Sequence, residues 1–172
     1  MKRTAYTYLS FIIVFLLTVR LAFPQTSELI SFELKDQFER TYNNESFNDK
    51  MMVMIGSDGG GSKYNSKWGK AISDALKKQD TKYDINWVGV ADLRGVPFFM
   101  KGYVRNQFSE DEKEWVLLDW DGLFAETYSF EDGMSNIFVF NSKGALVFKT
   151  AVREVEDEKL NTILTAIQEN YR

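Results

Sequence analysis

The stretch MMVMIGSDGGGSKYNSKWGKAISDALKK, residues 51–78, contains a complete strand–loop–helix unit. Its continuous apolar run, Met51–Ile55, is typical of a strand that is buried on both faces of a sheet. A glycine-rich loop follows, and after it the apolar residues recur with the spacing of a helix, for which Ser62 is the predicted N-cap. Because α/β proteins often bind ligands in such loops, the stretch predicts both a fold class and the place of a functional site.

Similar patterns divide the rest of the chain into further elements. They predict an N-terminal hairpin at Ile30–Tyr42, strands at Ile85–Leu93 and Glu114–Gly122, a helix that begins at Pro97, a hairpin at Asn136–Val152 and a last helix at Val155–Tyr171. The helix after Pro97 has an apolar face, which is formed by Phe99, Met100, Tyr103, Val104 and Phe108. Crossover helices make strands parallel, and the later hairpin adds an antiparallel pair. We therefore expect an α/β domain with a mixed central sheet and helices on both faces.

The first 25 residues have the features of a secretory signal peptide. Lys2 and Arg3 precede the apolar run Leu9–Leu17, which is shorter than the roughly 20 residues that cross a bilayer. We predict that residues 1–25 are a signal peptide, either cleaved or retained as an uncleaved anchor, and that residues 26–172 form one domain. The protein would then be exported, into the periplasm if the host is a Gram-negative bacterium.

The composition argues against several classes of function. The chain has 21 bases and 25 acids, and 18 bases remain beside those 25 acids once residues 1–25 are removed. This acidic balance argues against nucleic acid and against docking on anionic lipid. Because cysteine and histidine are both missing from the sequence, a thiolate nucleophile, a zinc–thiolate site and a Ser-His-Asp triad are unavailable. We expect neither a cofactor nor a metal.

The glycine-rich loop differs from a nucleotide-binding loop. Gly56 and Gly61 have the separation of P-loop glycines, but Ser62-Lys63 reverses the order of that motif. Asp58 would also place a negative charge among the phosphates. The loop is therefore a flexible turn that uses glycine for positive φ angles, a weak anion site at the free N–H groups of a helix N-terminus, or a surface that a partner approaches.

A second motif, VLLDWDGLFAET at residues 116–127, resembles the first motif of haloacid-dehalogenase-type phosphatases. The resemblance implies Asp119 as nucleophile and Asp121 as general acid, and such an enzyme would also use Asp58 and Lys63. Only about 50 residues follow the motif, too few for the later strands of that family. The alternative is a strand that ends in an Asp-Gly turn.

Three further residues are secondary candidates for a binding surface. Asp92 and Arg94 lie at the end of a predicted strand, where they form either a ligand site or a surface ion pair. Trp120 lies beside a turn, and we expect it at the surface.

Several strings resemble the thioredoxin-like superfamily, in its redoxin or peroxiredoxin-like branch, between Phe32 and Ile167. FELKDQFERTY resembles the opening of redoxins, with Glu39 where glycine is usual, and FNDKMMVMIGS resembles the strand before the redox loop. NIFVFNSKGALVF resembles the closing hairpin of these proteins. The resemblance implies a three-layer α/β/α sandwich with a mixed central sheet and an N-terminal β-hairpin.

The departures from that family concern the function. Gly60 and Lys63 stand near the positions of the two redox cysteines, and Ser135 stands where the family has a cis-proline. We therefore expect a non-catalytic protein that binds an envelope protein or peptide through the former redox groove, by backbone pairing. The residues that the resemblance places at this groove are Asp58, Gly59, Gly60, Gly61, Ser62, Lys63, Trp68 and Ser135.

Overall fold

The fold is built around a central sheet of five strands. The computed structural model describes residues 28–171, so the predicted signal peptide lies outside the described residues. The strands are β3 (Met51–Ser57), β4 (Ile85–Asp92), β5 (Leu117–Asp119), β6 (Ser135–Phe140) and β7 (Leu146–Val152). Their order is β5-β4-β3-β6-β7, in which β3, β4 and β5 are parallel and β6 is antiparallel to both neighbours. The predicted mixed sheet is confirmed.

A small hairpin precedes the sheet, as predicted. It consists of β1 (Glu33–Lys35) and β2 (Thr41–Asn43), which pair antiparallel. Glu39 in the turn has φ 66°, so the residue that replaces the family's usual glycine keeps the left-handed conformation that glycine favours.

Within residues 28–171, four α-helices accompany the sheet: α1 (Ser62–Lys77), α2 (Lys101–Arg105), α3 (Leu123–Thr127) and α4 (Asp157–Asn170). Two short 3-10 helices lie at Asn44–Phe47 and Phe98–Met100. Helix α3 was not predicted, since five residues are too few to show a helical period. In the described part of the chain, no helix has both the length and the apolar character that a membrane span requires.

Alternate residues of β3 enter two separate cores, which explains its continuous apolar run. Val53 and Ile55 pack with α1 and α4 on one face of the sheet. Met52 and Met54 pack on the other face with the N-terminal segment and α3. The three-layer α/β/α arrangement is thereby confirmed.

Candidate functional site

The predicted site lies at one end of the sheet, which we call the loop pole. We define the loop pole as the end at which β3, β4, β5 and β7 finish, together with the segments that follow them. The glycine loop, Asp58–Gly61, joins β3 to α1 at this pole. The loop thus lies at the carboxyl ends of the parallel strands, the end of the sheet at which α/β proteins commonly bind ligands.

Asp58 organises the glycine loop through its carboxylate. One oxygen accepts a hydrogen bond from the Gly61 amide at 2.8 Å. Both oxygens lie 3.1 Å from the amide nitrogen of Gly133, in the loop before β6. The sequence suggested Asp58 for binding a partner or for catalysis. In the structure its carboxylate instead forms hydrogen bonds within its own chain, and these connect the glycine loop to the loop before β6.

Two glycines allow other parts of the chain to approach β3 and the loop closely. A Cβ on Gly61 would overlap the carbonyl oxygen of Met134, and one on Gly56 would overlap the ring of Phe130. Gly59 has open space around it instead. The glycines thus serve close packing at positions 56 and 61 rather than positive φ angles, which none of the loop glycines has.

The start of α1 differs from the prediction. Ser62 is the first helical residue, and Gly61 occupies the N-cap position without a side-chain hydrogen bond. Asp58 substitutes for a capping side chain because it accepts from the Gly61 amide, while the Ser62 hydroxyl donates to the Gly59 carbonyl at 2.9 Å. The predicted site residues that lie at the surface are Gly59, Gly60, Ser62 and Lys63.

Three of the predicted groove residues are buried, namely Gly61, Trp68 and Ser135, which corrects their assignment to an accessible groove. Trp68 has 0% of its surface exposed, because it enters the core under α1 and donates its indole N–H to the Arg153 carbonyl at 2.7 Å. Ser135 is also 0% exposed, and its hydroxyl has no hydrogen-bond partner within residues 28–171. No cis peptide bond occurs in the described part of the chain, so the peptide before Ser135 is trans.

A cavity of about 580 Å³ lies beside the glycine loop, between α1, the end of β4 and the segment around α2. Ser57, Asp58 and Ser62 line it on one side, and Val90 and Phe108 belong to its apolar wall. Its size falls in the range of small-ligand pockets. Its walls come from four segments spread between Ser57 and Val116, so no local sequence pattern indicates it.

The secondary candidates form a structural pair and a half-exposed ring. Asp92 is buried and accepts from the Arg94 guanidinium at 2.7 and 2.9 Å. These hydrogen bonds raise the pKa of Arg94 above its ordinary value. The Arg94 side chain covers Gly122, where a Cβ would overlap it. Trp120 is half-buried, with the Lys101 ammonium 5.0 Å from its ring centroid. Asp92 and Arg94 thus form the ion pair that was one of the two alternatives, and Asp92 also lines the cavity.

The geometry of Asp119 does not fit a phosphatase nucleophile. The residue is 0% exposed, and its two oxygens accept from the amides of Leu123 and Phe124 at 2.8 Å each. Burial raises the pKa of this carboxyl, and the helix amides oppose that rise. Asp119 thus caps α3, which begins directly after an Asp-Gly turn whose glycine, Gly122, has φ 75°. Within residues 28–171, no group of three or more acidic side chains could hold a metal ion.

The predicted apolar face after Pro97 is wrong for most of its members. Phe99 is 77% exposed and Tyr103 is 64% exposed, whereas only Val104 and Phe108 turn toward the cavity. The neighbouring Phe98 is 84% exposed. The sequence signal that could have indicated exposure is a proline followed directly by two phenylalanines. The α-helix after them has only five residues, so it buries little of this segment.

No protein-family model matches the chain, and no curated protein sequence matches it. Its fold is similar to several solved structures. The pneumococcal exposed lipoprotein thioredoxin Etrx1 from Streptococcus pneumoniae matches with a TM-score of 0.58 and 18% identity, over 81% of this chain and 99% of that chain. ScoI of Arabidopsis thaliana, solved with copper bound, matches with a TM-score of 0.59 and 10% identity, over 81% and 98% of the two chains.

A third neighbour is a protein of Chlorobium tepidum assigned as the thiol:disulfide interchange protein DsbE. It matches with a TM-score of 0.58 and 12% identity, over 87% of this chain and 99% of that chain. At these identities the likeness establishes the fold, and it confirms the fold that the sequence resemblance implied. The chain therefore has the thioredoxin-like fold, in a form that contains no cysteine.

Proposed function

We propose that this chain is an exported, non-catalytic protein that binds an envelope protein or peptide through its loop pole. Thiol–disulfide chemistry by its own side chains is unavailable because the sequence has no cysteine. The fold itself still offers a binding platform, since a thioredoxin-like domain can hold extended peptides by main-chain contacts.

The distribution of exposed apolar side chains carries this proposal. Six large apolar side chains are exposed in the described residues, and all six lie in segments that follow the carboxyl end of β4, β5 or β7. They are Phe98, Phe99, Met100, Tyr103, Leu123 and Val155. Monomeric soluble proteins rarely expose clustered apolar surface without an interaction to cover it. The loop pole is therefore the face at which we expect a partner.

The former redox groove has a smaller part in this proposal than the sequence suggested. Gly61 is buried against Met134, and Trp68 and Ser135 are inaccessible. Gly59 and Gly60 remain exposed, beside the cavity. The partner would thus contact the tip of the glycine loop and the exposed Phe98–Tyr103 segment.

Site-specific photocrosslinking in the native cells tests the proposal. One probe replaces Gly59, where a side chain meets open space, and a second replaces Phe99. The control probe replaces the exposed Lys143, in the β6–β7 turn at the opposite end of the sheet. We expect the same discrete adduct from both probes at the loop pole, its loss when Phe98→Ser is added to the Gly59 probe, and no adduct at position 143.

Two outcomes would contradict the proposal. The first is the absence of an adduct at both loop-pole positions. The second is an equal adduct at position 143, because it would indicate crowding rather than a specific interface.

A further inference from the structure

We propose that the cavity beside the glycine loop receives an apolar side chain that a lysine or arginine flanks in the partner's sequence. This inference rests on the proposed function, since it names the chemistry of the partner segment that enters the loop pole. Three observations support it: the apolar residues that line the cavity, the acidic residues among them, and the position of the cavity beside the exposed aromatic side chains.

The walls of the cavity are suited to an apolar side chain. Leu93 and Val116 line one side, from the segments that follow β4 and precede β5. Val104 and Phe108 form the opposite wall. Burial of a leucine-sized side chain between such walls stabilises a complex, because apolar surface is removed from water.

The charged residues that line the cavity are all acidic. They are Asp58, Asp92 and Glu114, and the lining includes no lysine or arginine. Arg94 balances the charge of Asp92, whereas the hydrogen bonds to Asp58 come from neutral backbone amides. Asp58 and Glu114 thus give the rim a negative potential, which favours a cationic neighbour and disfavours an acidic one.

The base of the cavity offers hydrogen-bond acceptors as well. The Asn65 amide donates to the Ser57 hydroxyl oxygen at 2.8 Å, and the Asn65 carbonyl oxygen is buried without a partner within residues 28–171. A buried acceptor without a partner costs free energy, which an occupant with an N–H group can recover. An amide or ammonium donor beside the apolar side chain meets this requirement.

The position of the cavity favours a peptide segment over a free small molecule. Its outer wall, Val104 and Phe108, belongs to the same segment of chain as the exposed Phe98, Phe99 and Tyr103. A partner segment that inserts one side chain can therefore cover the aromatic rings with its neighbours. Aromatic side chains of this kind dominate the energetics of protein interfaces.

Amide chemical-shift titration of the full chain tests the inference with three blocked peptides. They are acetyl-Gly-Leu-Lys-Leu-Gly-amide and the same peptide with Gln or Glu in place of Lys. We expect the lysine peptide to shift the amide signals of Gly59, Leu93 and Val104, and the glutamate peptide to bind about ten-fold more weakly.

Variants of the rim separate this cavity from other surfaces. Ser66→Trp places a ring at the mouth and should abolish the shifts, whereas Lys70→Trp, one turn further along α1, should not. Glu114→Gln should weaken the lysine peptide several-fold and leave the glutamine peptide unchanged. A native-like amide spectrum of each variant establishes that it is folded.

Equal affinity for the lysine and glutamate peptides, or shifts that Ser66→Trp does not remove, would overturn the inference. If the crosslinks at positions 59 and 99 hold while the peptides fail to discriminate, only the cavity inference falls. If the peptides discriminate while the crosslinks are absent, the proposed function falls and the preference of the cavity remains.

Discussion

The carboxylate of Asp58 accepts a hydrogen bond from the backbone amide of Gly133, 3.1 Å from each oxygen, although 75 positions separate the two residues. The same carboxylate accepts from Gly61 at the start of α1. One side chain thus joins the loop after β3 to the loop before β6. In the thioredoxin-like proteins that the sequence resembles, these two loops carry the redox cysteines and the cis-proline. In this chain a hydrogen bond between the two loops takes the place of the thiol–disulfide site.

Asp58→Ala should lower the free energy of unfolding by about 1–3 kcal/mol, because it leaves two partly buried amides without their acceptor. Chemical denaturation measures the loss, and hydrogen exchange of the Gly133 amide should become faster. Asp58→Asn keeps one acceptor oxygen and should lose less. An alanine variant within about 0.5 kcal/mol of wild type would show that the contact between the loops contributes little.

Gly61→Ala should be destabilising by about 1–3 kcal/mol, since its Cβ would overlap the Met134 carbonyl oxygen and the backbone would have to move. Gly59→Ala, two positions earlier in open space, is the matched control and should change stability by less than about 0.5 kcal/mol. Thermal or denaturant unfolding of both variants makes the comparison. Equal effects at the two positions would mean that the two loops do not pack as described.

Ser135→Ala should raise the free energy of unfolding by about 1 kcal/mol, because it removes a buried hydroxyl that has no partner in the described residues. Ser57→Ala is the contrasting case, as it deprives the Asn65 amide of its acceptor and should lower stability by a similar amount. Opposite signs for two buried serines are the specific result to seek in denaturation experiments. A loss of stability in Ser135→Ala would imply that the hydroxyl makes a hydrogen bond in solution.

Tyr128 bonds the N-terminal segment to the core and should make stability fall at high pH. Its hydroxyl accepts from the Ile30 amide and donates to the Glu28 carbonyl, both at 2.9 Å. Burial raises the pKa of Tyr128 to about 12, above the value of about 10 in the unfolded chain. The folded state therefore holds the phenolic proton more tightly than the unfolded state does.

Its contribution to stability is complete below about pH 10 and should be lost between about pH 10 and 12, at no more than about 1.4 kcal/mol per pH unit. Tyr128→Phe should cost about 1–3 kcal/mol at neutral pH and should lack this part of the pH dependence. Denaturant unfolding of both proteins from pH 8 to 12 provides the measurement. Parallel pH profiles would contradict the assignment.

The central elements were predictable because their signals are local. The run at β3, the period of α1 and the closing hairpin each depend on residues within one segment, and they agree with the structure to within a few residues. The Asp-Gly turn after β5 was recognisable for the same reason. Helix α3 and the exposure of Phe98 and Phe99 were not, since a helix of five residues has no period of its own and exposure depends on what packs nearby.

The sequence by itself determined the fold class and, through the absence of cysteine, the loss of thiol chemistry, because both follow from residue types and local periodicity. Only the tertiary structure decided that Trp68 and Ser135 are buried, that Asp58 reaches Gly133, and that a cavity lies beside the glycine loop. These features depend on segments that are distant in the chain and meet only when the sheet and its helices pack. No local pattern specifies such contacts.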